Sequence, residues 1–132
     1  MEQGSEQQNE SQFEADAQIG KGLRFIDRNG VATIADGRLT LRKRNGDVIV
    51  QAPISEVRAE AARFSGGGAV RIWIGDEGYS VEPLRVHRVV AERLGGAATN
   101  LGRDVKRLKK GRELTQIFLA VVEAEGGKLG KP

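Results

Sequence analysis

The stretch DGRLTLRKRNGDVIV, residues 36–50, decides the fold. Asp36-Gly37 and Asn45-Gly46 bracket a run in which Leu39 and Leu41 alternate with Arg38, Thr40, Arg42 and Arg44. A period of two sends successive side chains to opposite faces, so the leucines face a core and the arginines face water. Asn-Gly and Asp-Gly suit tight hairpins because both central residues tolerate positive φ. Asn29-Gly30 upstream and Gly75-Asp76-Glu77-Gly78 downstream repeat the signal. Turns at this density predict an antiparallel meander rather than βαβ units.

Strands are predicted near Gly22–Arg28, Val31–Ala35, Arg38–Arg44 and Asp47–Ala52, the last ended by Pro53, which cannot donate to a ladder. Ile54 and Val57 anchor a short strand or turn, and Ala59–Phe64 reads as a strand before the Gly66-Gly67-Gly68 loop. Ala69–Ile74 alternates most cleanly, and Tyr79–Glu82 is expected to stop at Pro83. Beyond it the apolar spacing lengthens. Leu84, Val86, Val89, Val90 and Leu94 predict a short helix, with Leu101, Val105 and Leu108 striping a second. Leu114, Ile117, Phe118 and Val121 stripe the most apolar one, and the mismatch between the last two stripes predicts either a break near Gly111, which the glycine favours, or one long helix burying different faces at its two ends. The fold class is therefore mainly β with a C-terminal helix (α+β), with six or seven antiparallel strands as a barrel or sandwich.

The 132 residues suffice for one modest core. Residues 1–20 hold five acids, no base and few large apolar residues, which predicts a disordered acidic tail. A single domain is expected over 21–125, with a basic helical insertion at about 84–111 and a flexible C-terminus at 126–132. Residues 85–112 carry nine bases against two acids, a net +7 inside a chain of net +3. Absence of cysteine, of an early basic or apolar leader and of any apolar run near 20 residues points to a cytoplasmic protein without a transmembrane segment.

Strands first, then an amphipathic helix, resembles the pleckstrin-homology-like superfold, in particular its small bacterial and GRAM-like members. The resemblance rests on Asp36–Val57, Ala69–Glu82 and Arg112–Val122. It implies two nearly orthogonal sheets forming a seven-stranded barrel with the helix plugging one end. It also implies a binding module for phosphoinositides, peptides or partner domains. Lipid-binding members use basic residues around the first hairpin. Lys21, Arg24 and Arg28 stand there without forming such a motif, so no lipid specificity is carried over.

The residue inventory disfavours an enzyme, and no catalytic residue, cofactor site or metal site is assigned. His87 is the lone histidine, flanked by Arg85 and Arg88, and is expected to be solvated or to serve as a cap. Asp27, Asp36, Asp47 and Asp76 fit turn positions. The glycine run lacks the strand–helix context and Lys-Ser/Thr of a phosphate loop. Two kinds of binding surface remain. Trp73 and Arg71 share the outward face of their strand, a composition typical of a protein-docking anchor. Arg103, Lys106, Arg107 and Lys110 lie at helical spacing, and Arg38, Arg42 and Arg44 stripe a strand; both sets are candidate anion-binding groups. The expected function is a non-catalytic module recruiting a protein partner. The alternative is electrostatic binding of nucleic acid or an anionic membrane surface through 85–112.

Overall fold

β1, Gln12–Lys21, begins the sheet inside the segment expected to be a tail. The computed structural model describes residues 12–22, 24–62, 68–90 and 112–132. Phe13, Ala15, Ala17 and Ile19 point inward and are fully buried, while Glu14, Asp16 and Gln18 point outward. The disordered tail is thereby corrected at residues 12–20, and residues 1–11 lie outside the described residues. Mean composition misleads here, because the few apolar side chains all stand on one face of a strand.

β2, Arg24–Ala35, is continuous through Asn29-Gly30, which is not a hairpin turn. Gly30 faces inward opposite Ala17, and a Cβ built on it meets the Arg42 carbonyl oxygen at 2.5 Å and Ile19 Cδ1 at 2.7 Å. This glycine serves close approach, not positive φ. The true turn into β2 is at Gly22, φ +63°. Asp36-Gly37 does join β2 to β3 (Arg38–Arg42), with φ of 55° and 71° as a type I′ turn requires. Asn45-Gly46 lies in the turn into β4, Val48–Pro53.

A 3₁₀ turn at Ile54–Glu56 leads to β5 (Val57–Ala61), then β6 (Val70–Ile74) and β7 (Glu77–Val90). Pro83 does not end β7. It pairs with Ala17 beside a register shift, and a second shift follows between the Glu14–Arg88 and Ala15–Val86 pairs. These bulges leave Leu84 and His87 without direct partners on β1. They also lengthen the inward spacing, so Tyr79, Val81 and Pro83 are followed by Val86 and Val89. Steps of three replace steps of two and imitate helical periodicity. The helix expected from Leu84 is thus a strand as far as Val90. The remainder of the expected basic insertion, 91–111, lies outside the described residues.

α1, Arg112–Ala124, buries Leu114, Ile117, Phe118, Val121 and Val122. Phe118 meets Phe13 edge to face at a centroid distance of 5.2 Å. After Gly126 (φ +107°), β8 (Lys128–Leu129) pairs in parallel with β5, and the Gly130 N–H donates to the Ala59 carbonyl. Within the C-terminal segment 126–132, Lys128–Leu129 lies along the β5 edge. Among the described residues the curled sheet has eight strands, not six or seven, in the order β4-β3-β2-β1-β7-β6-β5-β8.

Candidate protein-docking face on β6

Alternation along β6 buries Val70 and Ile72 and sends Arg71 and Trp73 to the outer face. Gly75-Asp76 ends the strand with positive φ at Gly75 (+62°), which fixes the register of β7. That register puts Gly78 opposite Trp73 on one side and Arg58 opposite it on the other, with Lys128 beyond Arg58. The transverse row Gly78–Trp73–Arg58–Lys128 is therefore a flat floor, an indole and two cations. A neighbouring row places Phe25, Gly20, Ser80, Arg71 and Glu60 in register, and Phe25 is 61% exposed.

Trp73 is half-buried and stands between two shallow hollows. One, about 240 Å³, is lined by Arg71, Trp73, Gly78 and Ser80 among others. The other, about 260 Å³, is lined by Glu56, Arg58, Trp73 and Lys128 among others. A Cβ on Gly78 would lie 3.6 Å from the indole, an ordinary contact. Arg71 is exposed and forms no ion pair or hydrogen bond among the described residues. At the rim, Lys21 contacts Glu77 at 2.6 Å and sits 5.7 Å from the Tyr79 ring centroid. The hydrogen bond and charge of Glu77 raise the Lys21 ammonium above its ordinary pKa.

The basic stripe on β3 is not one patch. Arg38 and Arg42 are exposed, but Thr40 between them is buried and accepts a 2.9 Å hydrogen bond from Gln51 Nε2. Arg42 Nη1 donates to the Gly46 carbonyl at 3.3 Å. The Arg44 backbone N–H donates to Asp27 Oδ2 at 2.8 Å, and Asp27 Oδ1 accepts from the Asn29 N–H. The Arg44 bond, then the Asn29 bond, hold the Asp27 carboxyl below its ordinary pKa. Arg103, Lys106, Arg107 and Lys110 lie outside the described residues.

One cluster escaped the sequence reading. Asp16 on β1 contacts His87 Nε2 at 2.8 Å through Oδ1 and Arg85 at 3.1 Å through Oδ2. With Asn29, Val31 and Arg44, Asp16 and Arg85 line an open hollow of about 440 Å³. Reading Asp16 as tail hid this contact; the alternation of residues 13–19 was the signal that would have revealed it. No group of three or more His, Cys, Asp or Glu among the described residues is placed to hold a metal ion, and no helix among them is long and apolar enough to cross a membrane.

No family model matches the chain, and no curated protein is similar to it. Among solved structures, the apo structure of the activated truncation of Vav1 is similar over 86% of this chain, with a TM-score of 0.54 at 13% identity. The match covers 25% of that chain, so the present chain spans about a quarter of its length. At that identity the likeness is one of fold alone: a curled sheet with a C-terminal helix.

Proposed function

We propose that this chain is a non-catalytic interaction module that recruits a protein partner through the outer face of β6, with Trp73 and Arg71 as its anchors. The observation that carries the reading is an indole standing between two hollows beside a guanidinium that has no polar partner among the described residues. Trp and Arg are the residue types that most often dominate the binding energy of protein interfaces. The PH-like fold supports the reading, since interaction modules are built on it, while the anchors belong to this site rather than to the fold. The sole histidine is held at the surface by Asp16, away from this face.

Capture from native extract with the full chain, its Trp73→Ala variant and a nuclease-treated parallel tests the proposal. One near-stoichiometric protein is expected to survive nuclease and to be lost with Trp73→Ala, whose affinity falls by a factor of about 30 for a loss of about 2 kcal/mol. Retention of that protein by Trp73→Ala refutes docking at this face. Recovery that depends on nucleic acid transfers the function to segment 85–112.

A further inference from the structure

We infer that the partner's docking segment is an extended acidic peptide with an apolar side chain, lying across the row Gly78–Trp73–Arg58–Lys128. The inference rests on the reading of this face as a protein-docking surface and adds the chemistry of what docks. The charged side chains lining the two hollows beside Trp73 are three cations, Arg71, Arg58 and Lys128, and one acid, Glu56, and Pro132 lines the second hollow as well. The nearby carboxylate of Glu77 is engaged by Lys21. Arg58 Nη1 donates to the Lys131 carbonyl at 3.2 Å, and the rest of its guanidinium makes no other bond among the described residues. Arg71 and Lys128 make none among those residues.

The indole N–H and the Ser80 hydroxyl add donors on the Arg71 side. A surface rich in unengaged donors is matched by carboxylates, which accept charge-assisted hydrogen bonds. The hollow that Trp73 and Gly78 both line offers an apolar side chain a place beside the indole. The row crosses three inter-strand steps, about 14 Å, which four or five extended residues span. A flat anionic membrane fits less well, because Glu56 and Glu60 stand at the margins and the surface is two hollows divided by a ridge.

Selection of random displayed peptides on the full chain tests this directly. The selected sequences should be enriched in Asp and Glu beside an aliphatic or aromatic residue. Trp73 is the only tryptophan, so its emission reports binding of the best synthetic peptide without a label. Affinity should fall about tenfold for the Asn/Gln version of that peptide, and about tenfold for the folded variants Arg71→Ser and Arg58→Ser, as loss of a charge-assisted bond implies. The inference is overturned if no peptide is selected, if acids are not enriched, or if the amide version binds equally. It is also overturned if anionic phospholipid vesicles shift the Trp73 emission and the peptide does not. Failure here while Trp73→Ala still loses the captured protein removes the acidic chemistry and leaves recruitment standing. Retention of the captured protein by Trp73→Ala removes recruitment itself.

Discussion

Phe13→Ala tests whether residues 12–21 belong to the core. Phe13 is fully buried and meets Phe118 of α1 edge to face at 5.2 Å with an interplanar angle of 85°. Returning a buried phenyl side chain to water loses about 2 kcal/mol of transfer free energy. The unfilled space raises the typical loss for a buried Phe→Ala change to about 3–5 kcal/mol. The edge-to-face pair contributes about 0.5–1.5 kcal/mol beyond its area, which places the expected loss near about 4 kcal/mol. Urea unfolding followed by far-UV circular dichroism and Trp73 emission measures it. With a slope of about 1–3 kcal/mol/M, the midpoint should fall by more than about 1 M. The milder Phe118→Leu variant, alone and combined with Phe13→Ala, should return a coupling of about 0.5–1.5 kcal/mol. Phe25→Ala, at a ring 61% exposed, should stay within about 0.5 kcal/mol of the parent. A Phe13→Ala loss below about 1 kcal/mol would refute the reasoning and return β1 to the status of a tail.

Three further outcomes are expected. Gly30→Ala should destabilise by about 1–3 kcal/mol in denaturant titration, because its Cβ meets the Arg42 backbone; Gly78→Ala should leave stability within about 0.5 kcal/mol while weakening partner capture, because it fills only the floor beside Trp73. Asp27 has a folded pKa below its ordinary value, so its contribution is present above that ordinary value and is lost as pH falls through the folded one. The gap in urea midpoint between the parent and Asp27→Asn should therefore close on acidification, and a gap independent of pH would contradict the two backbone hydrogen bonds. Deleting residues 128–132 removes the β8 pairing and the Gly130–Ala59 bond, with an expected loss of about 1–3 kcal/mol and faster hydrogen exchange along β5.

The parts legible in the sequence were those where local chemistry and tertiary position agree. Leu39 and Leu41, Val70 and Ile72, and the stripe through Phe118 are buried as their periods require. Asp36-Gly37 turns because both residues hold positive φ. The misreadings each have a tertiary cause. Asn29-Gly30 carries a hairpin signal, yet Gly30 is needed where Ile19 and the Arg42 carbonyl press against it. Pro83 signals a strand end, yet a register shift beside it accommodates a residue without an N–H. Phe13 and Ile19 are diluted by acids and glutamines in composition, and only their placement opposite β2 and β7 shows that four small or large apolar side chains suffice to line a core.

The candidate site was legible to the extent that β6 is regular. Alternation alone puts Arg71 and Trp73 on one face, and no bulge interrupts the ladders of β6 with β5 and β7. What a single strand cannot reveal is its lateral neighbours. Arg58 comes alongside Trp73 because β5 pairs antiparallel with β6, and Lys128 comes next because the C-terminal segment is laid parallel to β5. Those two cations are 15 and 55 residues from Trp73 in sequence, so no local pattern joins them to it. The pairing that shields the β5 edge is thus also the pairing that brings Lys128 to the candidate docking face. Truncating 128–132 should accordingly weaken capture of an acidic segment by more than the substitution Lys128→Ser alone, because it also removes the carbonyl of Lys131 that orients Arg58. Equal weakening by the two changes, with β5 protection intact in the substitution, would show that Arg58 needs no such support and that Lys128 acts only through its charge.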